Sequence, residues 1–242
     1  MSTYVLIHGA WHGSWCWKRV RKALQQQGHE VFTPTLTGLG ERSHLLSQQI
    51  NLETHIADVV NLIKWEELTD VILCGHSYGG AVISGAADRI ANKISALVYL
   101  DAFVLDDGQT LNETVPAPMR DAQIEGAKQF GDGWKIPPIP GEIFQVNSKD
   151  LAWMNSQCTP QPLATFEQPL KLTGEISKIK NVTYIYATGW PLTPFAQFHE
   201  KAKTKNWRTL TMNCGHDVML DLPDELTREL EATAARIPPS KH

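Results

Sequence analysis

Residues 71–82 read VILCGHSYGGAV, an apolar run, a glycine-flanked serine and a run of small residues with no spacer between them. Val71 to Cys74 have the branched, continuously apolar character of a strand covered on both faces. From Gly79 onward, GGAVISGAADRI has the small and apolar residues of a helix packed closely on its neighbours. Between them, Gly75-His76-Ser77-Tyr78-Gly79 fits G-x-S-x-G, a sharp strand-to-helix turn that holds its serine in a strained backbone conformation. Glycines on either side let strand and helix approach closely. The bare pattern is common by chance. Its placement directly after a strand and before a helix is what makes Ser77 a candidate nucleophile rather than an ordinary turn serine.

On either side of this stretch, short β-rich runs alternate with helical patterns. The runs are TYVLIH at 3–8, EVFTPTL at 30–36, SALVYLD at 95–101, VTYIYAT at 182–188 and WRTLTMN at 207–213. Most are continuously apolar, which implies parallel pairing with both faces covered. WCWKRVRKALQQQG has helical spacing and stops at Gly28, and LETHIADVVNLIKWE repeats apolar residues at three and four. PDELTRELEATAARI opens with Pro223 and acids in its first turn. The alternation predicts an α/β fold: a mostly parallel central sheet with helices on both faces.

From about Val104 to Lys180 the rhythm breaks, with many prolines, several tryptophans and no clear strand. A structureless loop of that length is improbable in a compact domain, so the segment is expected to be an inserted cap built from short helices. It follows a strand end, over the sheet edge where α/β ligand sites form. Phe130, Trp134, Phe144, Trp153, Met154 and Phe166 give it apolar material to bury. With 242 residues and 42% hydrophobic content, one domain over 1–242 with a cap at about 104–180 is expected.

The formal net charge of -4 comes from mixed charges without a long run of either sign, which points away from nucleic-acid and membrane partners. No basic segment leads into an apolar run at the N-terminus, and no stretch approaches the roughly 20 apolar residues of a membrane span. A cytoplasmic protein is expected. The four cysteines are far apart and form no CxxC pair, so neither a zinc site nor a disulfide framework is suggested. Cys74 closes an apolar run and reads as a small buried residue rather than a nucleophile.

A serine hydroxyl is a poor nucleophile until a base takes its proton. Nine histidines are available. His216 is favoured because NCGHDVML lies between the last strand and the last helix, where a loop can return to Ser77. His8 and His12 belong to IHGAWHG, and His76 lies within the Ser77 turn, pointing elsewhere. His29, His44, His55, His199 and His242 fall in helices, loops or the tail. Surface or hydrogen-bonding roles are expected for all of these. Attack on a carbonyl also needs donors for the developing oxyanion. The backbone amides of Tyr78 and Ala10 are the candidates, with Gly9 letting the first loop pass close to the site; a plain strand-to-helix turn is the alternative reading of that loop.

Taken together, IHGAWHGSWCW, TGLGERSH, CGHSYGG, LVYLDAF and CGHDVML resemble the α/β-hydrolase superfamily over nearly the full chain. They look most like the bacterial esterases related to plant methylesterases and hydroxynitrile lyases. The resemblance implies the α/β-hydrolase fold, a Ser-acid-His triad, no cofactor and no metal. Some bacterial members act on carbamates or other xenobiotic esters, so the implied substrate is a small ester or carbamate. Lyases of this type carry Lys after the catalytic His and favour Cys after the nucleophile. Here those positions are Asp217 and Tyr78, so hydrolysis leads, with a hydroxynitrile lyase or a non-catalytic receptor for a small ligand as alternatives.

In most members the triad acid follows the penultimate strand, here VTYIYAT. The residues after it, Gly189 to Pro194, include no carboxylate. Asp101, at the end of LVYLD, is the substitute, on a strand about 5 Å from the nucleophile strand where the usual acid strand lies about 10 Å away. A few lipases of the superfamily use that position. Its alternative role is to cap the first turn of the following segment. Asp217 would have to fold back on its neighbour His216, Asp106 and Asp107 lie in the cap, and Glu200 sits on a solvated helical pattern. Eight tryptophans are many for this length. Trp11, Trp134, Trp153 and Trp190 fall where they could wall the site, which suits a small aryl or alkyl ester or an aromatic carbamate, with ordinary packing as the alternative.

Overall fold

The computed structural model describes residues 1–191 and 193–237. Its strands are β1 Thr3–Ile7, β2 Glu30–Phe32, β3 Val71–His76, β4 Ile94–Leu100, β5 Lys135–Ile136, β6 Gln161–Pro162, β7 Val182–Ala187 and β8 Arg208–Met212. Six of them form one sheet in the order β2-β1-β3-β4-β7-β8, and every neighbouring pair is parallel. Each residue of β3 is buried, as its unbroken apolar run predicts.

The helices are α1 Lys18–Gln26, α2 Leu52–Trp65, α3 Gly79–Arg89, α4 Ala117–Phe130, α5 Leu151–Gln157, α6 Ala164–Glu167, α7 Ala196–Thr204, α8 Val218–Asp221 and α9 Pro223–Ala234. Helix α2 starts at a capping box, where the Asn51 side chain accepts from the Thr54 amide and the Thr54 hydroxyl returns to the Asn51 amide. Helix α1 packs with α9, and α2 with α3. The crossover through α1 runs outward from β1 to β2, while those through α2 and α3 run back toward β3 and β4. Right-handed crossovers in opposite directions place these helices on opposite faces of the sheet. The direction reverses between the adjacent strands β1 and β3, so the loops leaving those two strands meet at a topological switch point.

The stretch between β4 and β7 is less featureless than its sequence suggests. It contains a 14-residue helix, α4, where only short helices are expected. It also contains strands, β5 and β6, which pair antiparallel over two residues each in place of the strandless segment predicted. Two-residue strands are too short to show alternation, which is why no pattern marks them. The far end of this stretch is tied to α3 by one carboxylate. Asp88, buried, accepts from the amides of Thr173, Gly174 and Ile176 and from the Thr173 hydroxyl at 2.6–3.1 Å. Among the described residues no helix is long and apolar enough to cross a membrane.

Candidate active site

Strand register decides which side chains meet. In the β3–β4 pair His76 lies opposite Leu100, so Ser77 and Asp101 are each the first residue beyond its strand, at the same level and one strand apart. The ladder continues past both strand ends: the Ser77 amide donates to Leu100 O at 3.2 Å and the Asp101 amide to Ile185 O at 2.7 Å. Three residues in the turns that follow β1, β3 and β4 hold left-handed backbone, Trp11 at φ 65°, Ser77 at 54° and Asp101 at 42°. Such conformations cost energy in residues other than glycine and persist where the surroundings over-determine them. Close packing does that here. A Cβ on Gly75 would lie 2.5 Å from Gly79 O, and one on Gly9 would lie 2.9 Å from both Ser77 Cβ and His76 Nδ1. The hydroxyl of Tyr184 clamps the next residue, accepting from the Ala102 amide and donating to Ala102 O.

His216 arrives from the loop after β8 and is anchored by its amide, which donates to Phe144 O at 2.9 Å. Its Nδ1 lies 2.6 Å from Asp101 Oδ2, and the other carboxylate oxygen of Asp101 accepts from the Ala187 amide at 3.1 Å. Asp101 is completely buried. Burial pushes its carboxyl up, opposed by the Ala187 amide that donates to it. Phe195 stacks on the imidazole at 4.9 Å, with Trp190 at 5.1 Å and Phe144 at 5.2 Å around it. This desolvation lowers His216 to about 4, against the nearby Asp217 charge that raises it. A neutral ring that donates Nδ1–H to Asp101 leaves Nε2 without a proton.

Ser77 and His216 line one cavity with about 380 Å³ of empty space, including its mouth. Among the described residues their side chains make no hydrogen bond to each other, which is common before substrate enters. Ala10, Trp11, Tyr78 and Trp190 share the wall; Trp134 and Trp153 do not. Lys135 lies over the Trp134 ring, and Trp153, 39% exposed, packs edge-on against Trp15. Both belong to the inserted segment, but neither side chain lines the cavity. The backbone amides of Ala10 and Tyr78 have no partner among the described residues, and Tyr78 stands at the start of α3, where the helix dipole favours negative charge.

Other expected positions fall elsewhere. Cys74 is buried, and burial pushes its thiol far above the ordinary range. Asp106, Asp107 and Glu200 are exposed. His8, His12, His55 and His76 are buried and hydrogen-bonded, His199 is buried against Tyr186, and His242 lies outside the described residues. Among the described residues no group of three or more His, Cys, Asp or Glu is arranged to hold a metal ion.

A second acid–histidine pair, which the sequence does not announce, lies beside the first. His12 Nδ1 is 2.7 Å from Ala10 O and its Nε2 is 3.2 Å from Asp217 Oδ2. Both partners are acceptors, so His12 donates from both nitrogens and is an imidazolium. Burial opposes that charge, while Asp217 raises His12 above its ordinary value. Asp217 is likewise desolvated, and His12, His76 and His216 hold its carboxyl well below the usual range. The pair joins the Ala10 loop to the His216 loop. His76 is kept neutral by burial and donates from Nε2 to His216 O at 3.0 Å.

A parallel sheet bearing a strained serine, a buried carboxylate–histidine pair and two free amides around one cavity defines the class. The chain belongs to the alpha/beta hydrolase family, whose model matches residues 4–229. More particularly, it is 47% identical over 243 residues to a carbendazim hydrolyzing esterase of a Nocardioides strain, covering 96% of this chain and 99% of that one. It is 30% identical to putative methylesterase 14 of Arabidopsis thaliana, over 71% of this chain and 54% of the longer plant protein. Among solved structures, an extracellular alpha/beta-hydrolase from a Paenibacillus species superposes with a TM-score of 0.83 at 26% identity, covering 98% of this chain and all of that one.

Proposed function

We propose that this carboxylic-ester hydrolase cleaves small aryl or alkyl esters or carbamates through an acyl-enzyme on Ser77, with His216 as base and Asp101 as the acid behind it. The observation that carries the proposal is the 2.6 Å contact between His216 Nδ1 and Asp101 Oδ2, with Ser77 and His216 on the wall of one apolar cavity. The kinship with a carbendazim hydrolyzing esterase supports the ester or carbamate substrate. In the first half-reaction Ser77 Oγ attacks the carbonyl carbon and its proton passes to His216 Nε2. The carbonyl oxygen gains charge against the Ala10 and Tyr78 amides. Collapse breaks the bond to the leaving oxygen, which takes the proton from His216. Water then attacks the acyl-enzyme, gives its proton to the same nitrogen and releases the acid, returning the proton to Ser77. Asp101 orients the ring and stabilises the imidazolium formed in each half. The 104–180 segment acts as a cap on a single domain, closing the acyl pocket with its aromatic side chains.

A fluorophosphonate probe tests this directly. Wild type is expected to lose turnover of a chromogenic aryl ester as one equivalent attaches to Ser77, and Ser77→Ala to show neither labelling nor turnover while melting normally. An unlabelled Ser77 in the wild type would favour a ligand receptor and sink the proposal.

A further inference from the structure

The cavity wall is almost entirely apolar, and one polar side chain on it has no part in the chemistry described above. Gln123 lies on α4 on the same face as Met119 and Ala127, four residues to either side, which is the spacing of a helix stripe turned inward. Met119 and Gln123 both line the cavity with Ser77 and His216. Gln123 is 8% exposed, and its Oε1 is buried without a hydrogen bond. Among the described residues it is the one side chain on this wall with a buried, unpartnered polar atom. The other polar groups nearby are committed: Trp11 Nε1 donates to Ile136 O, and the Tyr78 hydroxyl meets His55 Nδ1.

A buried carboxamide oxygen left unpaired destabilises the empty protein by about the cost of a missing hydrogen bond. A leucine would fill the same stripe without that penalty. We propose that Gln123 is a specificity-determining residue, accepting a hydrogen bond from an N–H of the substrate, so that the site favours N–H carbamates over esters with carbon in that place. This rests on the esterase reading above. A bound N–H satisfies Oε1; a CH2 leaves it desolvated and unpaired, and sites built to pair a polar group discriminate strongly against analogues that lack it.

The test compares a methyl N-arylcarbamate with the corresponding methyl arylacetate, which puts CH2 where the carbamate has N–H. The ratio of their kcat/KM values cancels general effects on catalysis when it is compared between variants. In Gln123→Leu that ratio is expected to fall by about tenfold or more, the loss of one buried hydrogen bond. Gln123→Met, which keeps length and loses the acceptor, gives the same readout if leucine disturbs α4. A ratio that stays within about threefold of wild type in both variants overturns the inference. Ser77 labelling by a fluorophosphonate is read in parallel: labelled variants with an unchanged ratio overturn only the Gln123 assignment, whereas an unlabelled wild type overturns the esterase reading on which it stands.

Discussion

Asp101→Asn puts the acid assignment under the hardest strain, because the two sides of this carboxylate are held by different partners. Oδ1 accepts from the Ala187 amide at 3.1 Å and Oδ2 faces His216 Nδ1 at 2.6 Å. Asn has the same shape, but only its oxygen accepts. If the oxygen stays with Ala187, the NH2 group donates to Nδ1, the proton of the neutral ring moves to Nε2, and that nitrogen can no longer take the Ser77 proton. Restoring the working tautomer requires the amide to flip, which sets its NH2 against the Ala187 N–H. Two buried groups are then unsatisfied, at about 1–3 kcal/mol each. The sum of about 2–6 kcal/mol corresponds to a loss of roughly 30-fold to 10⁴-fold in kcat. Loss of the negative charge behind the imidazolium pushes the result toward the upper end. Because Asp101 is fully buried, KM should change little. The assay is steady-state hydrolysis of a 4-nitrophenyl ester, with the rate of fluorophosphonate labelling as a second readout and the melting temperature as a check on folding. A kcat within tenfold of wild type, at an unchanged melting temperature, would mean that Asp101 is not the acid behind His216.

Two further outcomes follow from the charges around the site. His216 is lowered to about 4 by burial, so its ring stays neutral on acidification; with His216 as the proposed base, kcat/KM should hold below the ordinary imidazole range and fall as pH drops through about 4, and an acid limb near 6.5 would contradict that role. Asp217→Asn leaves the buried His12 imidazolium without its counter-ion, and breaking a buried pair costs about 3–5 kcal/mol, or roughly 10 °C in Tm for a chain of this size. A shift under about 3 °C in differential scanning fluorimetry would mean the pair carries little stability. The folded value of His12 is raised, so its contribution is complete below the unfolded imidazole value and is lost as pH rises through the folded one. Since Asp217 is depressed, its share is present above the unfolded carboxylate value and is lost only under strong acid, which leaves the pair most effective at mildly acidic pH.

The six strands of the main sheet and helices α1, α2, α3 and α9 were legible because their signals are local. An unbroken apolar run marks a strand covered on both faces, and Pro223 with the following acids marks a helix start, whatever the rest of the chain does. The strained turn at Ser77 was legible for the same reason, since G-x-S-x-G between a strand and a helix specifies backbone geometry over five residues. The β5–β6 ladder was not, because two residues a side are too few to carry a pattern. Trp134 and Trp153 misled because placing a segment beside a site does not say which of its side chains line it. Gln123 and the His12–Asp217 pair carried no mark that separates them from an ordinary helix glutamine, a loop histidine or a solvated carboxylate.

Local patterns along the chain specify the strand–turn–helix around Ser77, the parallel sheet it belongs to, and the lack of any carboxylate between Gly189 and Pro194. They also offer Asp101 as a candidate acid, with a cap as the alternative. Which carboxylate meets His216 is set by the folded chain. The contact of Asp101 with His216 joins residues 115 positions apart, and it exists because the β3–β4 register brings Ser77 and Asp101 out at one level while Trp190 and Phe195 close around the ring. Backbone conformation is set by neighbours a few residues away, whereas the pairing of an acid with a base depends on register and on where loops return, which only the folded chain specifies.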